Sequence, residues 1–482
     1  MCVVLRDMEY QIKLSNGMTK SYSSKNKDLF GTGQGAGWSP TCWAVNSDVI
    51  SHSVEKYTPG MVLTHPNGEK LSDVKMVAFV DDTSMGISTD GIKTFQPKTD
   101  WPVQRKPNMH QQLQANVSFY ARTLESTGGA LAYEKCKVYL LMFVWINGIK
   151  TMLANKAKFP PLQIQSLLTG IFHFIALANP DEAFRMLGAF VAPNGDTTTQ
   201  VKVLKSIAVK WANKIEKSYL TPHESLVAYV QVLFPALVYP VAVMPLKEKD
   251  CDDIVRPAIK ALLKKINLPA NTNRSLLYGP ARYGGMEIPN LYVHGNVLKI
   301  MMFIGHLQKK DTTMPILRVA LGAVQQQIGV STPIMEANYS KYHVLVEPCW
   351  MTHIWKFLYE IKGKIVLDNH WIPKSPYQND CMIMDKVMEI QLPQVTVKKI
   401  NQCRLQKQIY FISDILDSRQ KSLHPSIMDP TYKRLNKEKF PVVEIPKSYW
   451  KIWSIASVKL QFAKRRSLLF DLKNGQKQLS IF

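Results

Sequence analysis

The sequence predicts an α+β chain in which short strands are confined to the first part and helices dominate the rest. Three segments carry this: a glycine-rich loop opening a charge-poor run over Gly31–Val54, two apolar runs broken by two carboxylates within Met76–Ser88, and the amphipathic run VKVLKSIAVKWANKIEKSYL from Val201. The first and third have the length and spacing of helices, whereas the second is too short for one and reads as strand, turn, strand. At 482 residues, 46% hydrophobic and 20% charged, with mean hydropathy −0.11, the chain has the composition of a soluble folded protein with several domains. That excludes disordered and collagenous classes.

Four glycines within Gly31-Thr-Gly-Gln-Gly-Ala-Gly37 make a loop whose backbone can approach a ligand closely. Ser39 is a suitable N-cap and Pro40 a suitable first helical residue, so a helix is predicted through about Val54. A glycine loop entering a helix N-terminus is a general anion cradle. The spacing is not that of a dinucleotide-binding fingerprint. In Met76-Val-Ala-Phe-Val-Asp-Asp-Thr-Ser-Met-Gly-Ile-Ser88 the adjacent carboxylates sit at a hairpin tip. They repel each other unless something positive lies between them, and Mg²⁺ prefers such oxygen ligands. Asp-Asp is also an ordinary turn dipeptide, and both readings stay open at this point.

Val138–Ile146 is too short to span a bilayer and reads as a core strand. The helix predicted over the 201–220 run turns Val203, Leu204, Ile207, Ala208, Trp211 and Ile215 to one face. Its lysines Lys202, Lys205, Lys210, Lys214 and Lys217 suit either phosphates or plain solvation. Ser225–Leu246 is uncharged and long enough to cross a membrane, but Pro235, Pro240 and Pro245 interrupt it. A buried helix followed by a proline-broken connection is predicted, with no membrane partner. From about Asn271 the chain is mainly helical, and Trp350, Trp355, Trp371, Trp450 and Trp453 read as core.

Sixty Lys+Arg against 37 Asp+Glu give a net charge of +23, which points to a polyanionic partner. The first hundred residues are near neutral, while residues 401–482 hold sixteen basic side chains against six acidic ones. Lys464-Arg465-Arg466 could serve nuclear import, contact phosphate or simply solvate a helix. Seven scattered cysteines without a C-x-x-C pair indicate a reducing, intracellular compartment. Cys349, His353, His370 and Cys381 have zinc-ligand chemistry but not the spacing of a compact site, so no zinc is expected.

The glycine loop with Ser39-Pro40, followed by Phe79-Val80-Asp81-Asp82, resembles motifs B and C of reverse transcriptases. Further segments continue the resemblance in order. Gly128-Gly129-Ala-Leu-Ala-Tyr-Glu-Lys135-Cys136 is similar to the next, lysine-bearing motif, and Met186-Leu187-Gly188 with the following Pro-Asn-Gly turn to the primer-grip hairpin. Leu233–Tyr239, Tyr278–Pro289, Asn401-Gln-Cys-Arg404 and Ser413-Asp414-Ile415 resemble the downstream region of LINE-type, non-LTR retroelement proteins. This resemblance implies a right-hand polymerase palm over 1–194, a thumb-like helical segment over 195–270 and a basic, mainly helical region over 271–482. It implies RNA-directed DNA synthesis on an RNA template and DNA primer from dNTPs, with Mg²⁺ as cofactor.

Residue by residue, the resemblance makes Asp81 a metal-binding carboxylate and Asp82 its supporting neighbour. Lys135 matches the lysine proposed to protonate departing pyrophosphate, although a solvated loop lysine fits as well. Gly33, Gln34, Gly35 and Ser39 match the loop that positions template and nucleotide; Phe79 and Val80 match the positions beside the metal carboxylate. The family also has a fingers region and a third carboxylate, in motif A, ahead of the glycine loop. Asp7 and Asp28 fall at the wrong places for it. An N-terminally truncated palm is therefore expected, catalytically defective on its own, completed by sequence elsewhere or surviving as a non-enzymatic nucleic-acid-binding remnant.

Overall fold

The computed structural model describes residues 9–10, 13–14, 17–18, 22–23, 39–79, 82–88, 108–141, 143–146, 149–152, 159–167, 169–368, 370–378, 380–417, 422–434, 438–441, 443 and 445–461. Among them, helices alternate with two-stranded ladders in an α+β arrangement. The chain divides into two compact units, one made of 1–62, 73–140 and 154–179, the other of 63–72, 141–153 and 180–482.

In the first unit, β1 (Glu9–Tyr10) pairs with β4 (Tyr22–Ser23), and β2 (Lys13–Leu14) pairs with β3 (Gly17–Met18). Helix α1 (Ser39–Tyr57) starts one residue earlier than predicted, with Ser39 as its first residue and not its N-cap, and runs three residues past Val54. Thr58 ends it by donating both its N–H and its hydroxyl to the Val54 carbonyl, and Pro59 follows. Ile50 and Val54 pack against Tyr120 and Leu124 of α2 (Met109–Ser126). Composition did not announce α2, yet it opens on a capping box: Asn108 Oδ1 accepts from the Gln111 N–H at 2.8 Å, and Gln111 returns the bond to the Asn108 N–H at 3.1 Å. Met76 and Met85, from β5 (Met76–Phe79) and β6 (Asp82–Met85), close this cluster from the hairpin side.

A second cluster in that unit sits where β7 (Leu162–Gln165) and β8 (Phe172–Ile175) turn Leu162, Ile164 and Ile175 inward. Gln114 of α2 covers the edge of β7, donating to the Gln163 carbonyl at 2.5 Å and accepting from its N–H at 2.7 Å. The run predicted as one core strand is divided: Val138 forms a lone bridge with Leu177, Leu141 is exposed, and only 143–146 is strand, paired with 149–152. That hairpin belongs to the second unit, and among the described residues no third strand extends it.

In the second unit, α3 (Thr198–Lys217) buries Leu204, Ala208, Ala212 and Ile215. Its buried face is rotated from the predicted one, leaving Ile207 exposed, because small Ala208 and Ala212 let α6 (Glu248–Lys265) approach closely. The predicted break comes later than the first two prolines: the segment stays helical through Pro235 and Pro240 and ends at Val243, ahead of Pro245. Helix α4 (Pro222–Ala228), a π turn at Tyr229–Leu233 and α5 (Phe234–Val243) form one continuous apolar helical segment. The wider turn, closed by the Phe234 N–H on the Tyr229 carbonyl, accommodates Pro235, which has no N–H to offer the preceding turn. Pro222–Val243 is long and apolar enough to span a membrane, but Tyr229, Leu237 and Val241 are fully buried in this unit's core. A core helix satisfies the same length test.

Downstream, α7 (Leu291–Lys309), α8 (Met314–Ile328), α9 (Trp350–Glu360), α10 (Ile383–Glu389), α11 (Gln394–Lys407) and a helix over 447–461 surround a core containing Trp355 and Trp453. Both indoles are satisfied, donating to the Ala337 and Ile427 carbonyls at 2.7 and 3.1 Å, so these tryptophans are core as predicted. Asn401-Gln-Cys-Arg404 is structural as well. The fully buried Arg404 guanidinium donates to Asn401 Oδ1 at 2.8 Å, the Ile409 carbonyl at 3.2 Å and the Gln326 and Gln327 carbonyls at 2.8 and 3.1 Å. It thereby closes the C-terminus of α8, where carbonyls have no intrahelical partner. Gly329 follows in the left-handed region (φ +63°), and a Cβ there would lie 2.5 Å from the guanidinium carbon. Asp414 caps the next turn by accepting from the Tyr410 and Phe411 N–H groups, each at 2.9 Å, and pairs with Arg434.

Arg404→Met strands three acceptors in the core, since the Gln327 carbonyl keeps its bond from Asn401, and is expected to lower stability by about 3–5 kcal/mol, read as a shift in the urea midpoint. The buried Lys299 differs, since its one side-chain partner among the described residues is Asn296 Oδ1 at 3.3 Å. Burial lowers its ammonium to about 8. The folded state thus disfavours the proton that the unfolded chain still holds, so stability should rise between about pH 8 and the ordinary lysine range. Lys299→Met is expected to abolish that rise and to be neutral or stabilising below pH 8.

Candidate functional site

The described part of the motif-like region is assembled around α2. β5 and β6 pair with Phe79 opposite Asp82, leaving a two-residue connection; Val80 and Asp81, which occupy it, lie outside the described residues, as do Gly33, Gln34 and Gly35. Ser39 is placed as the first residue of α1 and Phe79 as the last of β5; their side chains are outside the described set. Asp82 is exposed at the start of β6. This carboxylate can reach solvent or a cation without a desolvation penalty. The hairpin rules out an all-helical chain.

The hairpin is fixed by its next residue. The Thr83 hydroxyl shares a hydrogen bond with the Tyr120 hydroxyl at 2.9 Å, and burial pushes the Tyr120 phenol above its ordinary range. Tyr120 is therefore a neutral, buried post that ties the strand after Asp82 to α2. Cys136 packs against the cluster that contains Ala121, the residue after Tyr120, which brings the segment beside Lys135 onto the same helix. Lys135 itself is exposed, at the end of a one-turn 3₁₀ helix, Tyr133–Lys135. That turn is held by Tyr133, whose ring stacks on His173 at 3.9 Å and 5° and whose hydroxyl reaches Glu125 at 3.4 Å. Glu125 is buried and accepts from the Leu167 N–H at 2.6 Å.

Asp82 and Lys135 thus project from elements packed on one helix, with their side chains in solvent. Tyr120, Thr83, Glu125 and Tyr133 position them, and sequence reasoning missed all four. The signal available for them was the capping box Asn108-x-x-Gln111 ahead of Leu113, Val117, Tyr120 and Leu124. Among the described residues, no group of three His, Cys, Asp or Glu side chains converges to hold a metal. Of the four zinc-type residues, His353 is half-buried and lowered to about 4 by desolvation and then Lys299, while His370 is also lowered to about 4 by desolvation and bonds Gln325 at 2.8 Å.

In the second unit, β9 (Phe184–Met186) and β10 (Ala189–Val191) form the hairpin that the resemblance likens to a primer grip. Its turn uses left-handed Leu187 and Gly188 (φ 47° and 86°), and the Phe190 N–H donates to Gln200 of α3 at 2.6 Å. Lys202, Lys205, Lys210, Lys214 and Lys217 are all exposed on α3. Their separation from the buried Leu204, Ala208 and Ile215 gives the helix one apolar and one cationic side.

No protein-family model matches this chain, and no curated protein matches its sequence.

Tyr120→Phe removes the shared hydroxyl contact and is expected to lower hydrogen-exchange protection across 76–85, by about 1 kcal/mol in local opening free energy. Unchanged protection there would remove Tyr120 from its positioning role.

Proposed function

We propose that this chain is a reverse-transcriptase-like protein of a LINE-type, non-LTR retroelement, with nucleic-acid binding as its present function and RNA-directed DNA synthesis as the chemistry of its family. The observation that most supports this reading is the packing of the Ser39-initiated helix and the Phe79/Asp82 hairpin with one helix, α2. The same two segments carry the motif resemblance. The exposed lysines of α3 add support, since they suit a phosphate backbone.

In this reading, Asp81 and Asp82 would hold Mg²⁺, and their oxygens suit a hard cation. Bound there, Mg²⁺ would neutralise nucleotide phosphate charge and favour in-line displacement. By the resemblance, Gln34 and its flanking glycines would position template and nucleotide, and Val80 would face the primer. Lys135 donates a proton to the departing pyrophosphate. Two carboxylates supply fewer oxygens than a pair of such cations requires, so the 482-residue chain alone is expected to bind template and primer without extending the primer.

Two measurements with the full chain test this. Affinity for an RNA–DNA primer–template should fall steeply with salt, and Lys210→Gln/Lys214→Gln/Lys217→Gln should reduce the log–log slope by roughly 0.9 for each phosphate that is no longer neutralised. Primer extension with dNTPs and Mg²⁺ should be absent; extension that Asp81→Ala abolishes would instead make the chain a working polymerase. Absence of nucleic-acid binding at low salt would reject the reading.

A further inference from the structure

The segment Tyr278–Pro289 has no role in the function proposed above, yet its backbone is built with unusual constraint. Gly285 donates to the Pro280 carbonyl and Glu287 to the Gly279 carbonyl, both at 3.0 Å. A Cβ on Gly285 would lie 2.1 Å from the Gly279 oxygen, and Gly284 takes φ +80°. Only glycine permits that approach. The resulting knot forms one wall of an open pocket of about 770 Å³, within the range of small-ligand sites.

The chemistry of the lining is selective. Glu248 and Asp252 are one helical turn apart on α6, and neither carboxylate is hydrogen-bonded or ion-paired to another side chain among the described residues. Asn273 and Asn290 use their Oδ1 atoms to accept from the Ser275 and Val293 N–H groups at 2.9 and 3.0 Å, which leaves their amide N–H₂ groups as donors. Arg274 donates to the Tyr278 hydroxyl at 2.9 Å, and the largely exposed Tyr283, also in the lining, carries Arg282 over its ring at 4.7 Å. Acceptors, amide donors and the exposed Tyr283 ring together match the edge and face of a nucleobase.

Building on the nucleic-acid-binding function proposed above, we propose that this pocket takes an unpaired guanine base from a bulge or single-stranded segment of RNA. Guanine presents two adjacent donors, N1–H and N2–H₂, to a carboxylate, and its O6 to an amide donor. Uracil would turn carbonyl oxygens toward Glu248 and Asp252. Adenine and cytosine offer one amino group beside an acceptor. Arg274 supplies the positive charge that offsets the adjoining phosphate.

The test is binding of the full chain, at fixed salt, to four fluorescently labelled RNA hairpins that differ only in one bulged base. The G-bulge hairpin is expected to bind on the order of tenfold tighter than the others. Glu248→Gln/Asp252→Asn should bring the four affinities together while the salt slope is unchanged. If that variant unfolds, the exposed Tyr283→Ala is expected to reduce the G preference by itself. Equal affinities for all four hairpins in the wild type, or a G preference that survives the variants, would overturn the proposal while leaving the broader binding reading intact. Binding of an arginine-rich peptide that is abolished in the carboxylate variant, without any base preference, would assign the pocket to a basic protein segment instead. Failure to bind any RNA would overturn both readings.

Discussion

A guanidinium with no carboxylate partner among the described residues organises the C-terminal half of this protein. Arg404 is fully buried and directs its donors to carbonyl and amide oxygens from Gln326, Gln327, Ile409 and Asn401. Burial lowers its pKa only to about 10, so it remains charged at neutral pH. The partial negative charge at the end of α8 takes the place of a counter-ion. Gly329 must be glycine because the guanidinium occupies the space a Cβ would take. Asn401 shares the Gln327 carbonyl at 2.8 Å, so the Asn-x-x-Arg spacing delivers both groups to one helix end. The packing of α8, α11 and the segment after Gln408 rests on this arrangement.

The first unit uses a neutral hydroxyl for a similar purpose. Tyr120 is buried, and its contact with Thr83 sets the hairpin on α2 while leaving Asp82 in solvent. Burying the carboxylate itself would have opposed its charge, whereas burying a phenol raises a pKa that is already far above neutrality. Lys135 follows the same logic: Tyr133 and Glu125 are held in the protein, and the lysine is carried outward by a single turn. Positioning and chemistry are thereby divided between adjacent residues.

Much of this was legible in the residues and some was not. The start of α1 at Ser39-Pro40, the Phe79/Asp82 hairpin and the core tryptophans were readable because each rests on local geometry or simple burial. The continuity of α4 and α5 through Pro235 was not, because a π turn relieves the proline and no propensity rule signals one. Ile207 was assigned to the wrong face of α3 because periodicity counts apolar residues, whereas α6 selects the small Ala208 and Ala212. The zinc-type residues looked related in sequence, but His353 and His370 have different buried neighbours.

By itself the sequence determined the α+β class, the order of the motif-like segments and the concentration of positive charge outside the first hundred residues. These are properties of local spacing and counting, which survive without knowledge of contacts. Only the tertiary structure decided that Tyr120 ties the Asp82 hairpin to α2, that Arg404 closes α8, and that Glu248 and Asp252 share a pocket with Asn273 and Asn290. Each of those depends on residues distant in sequence meeting in space. Periodicity along one chain carries no information about such meetings.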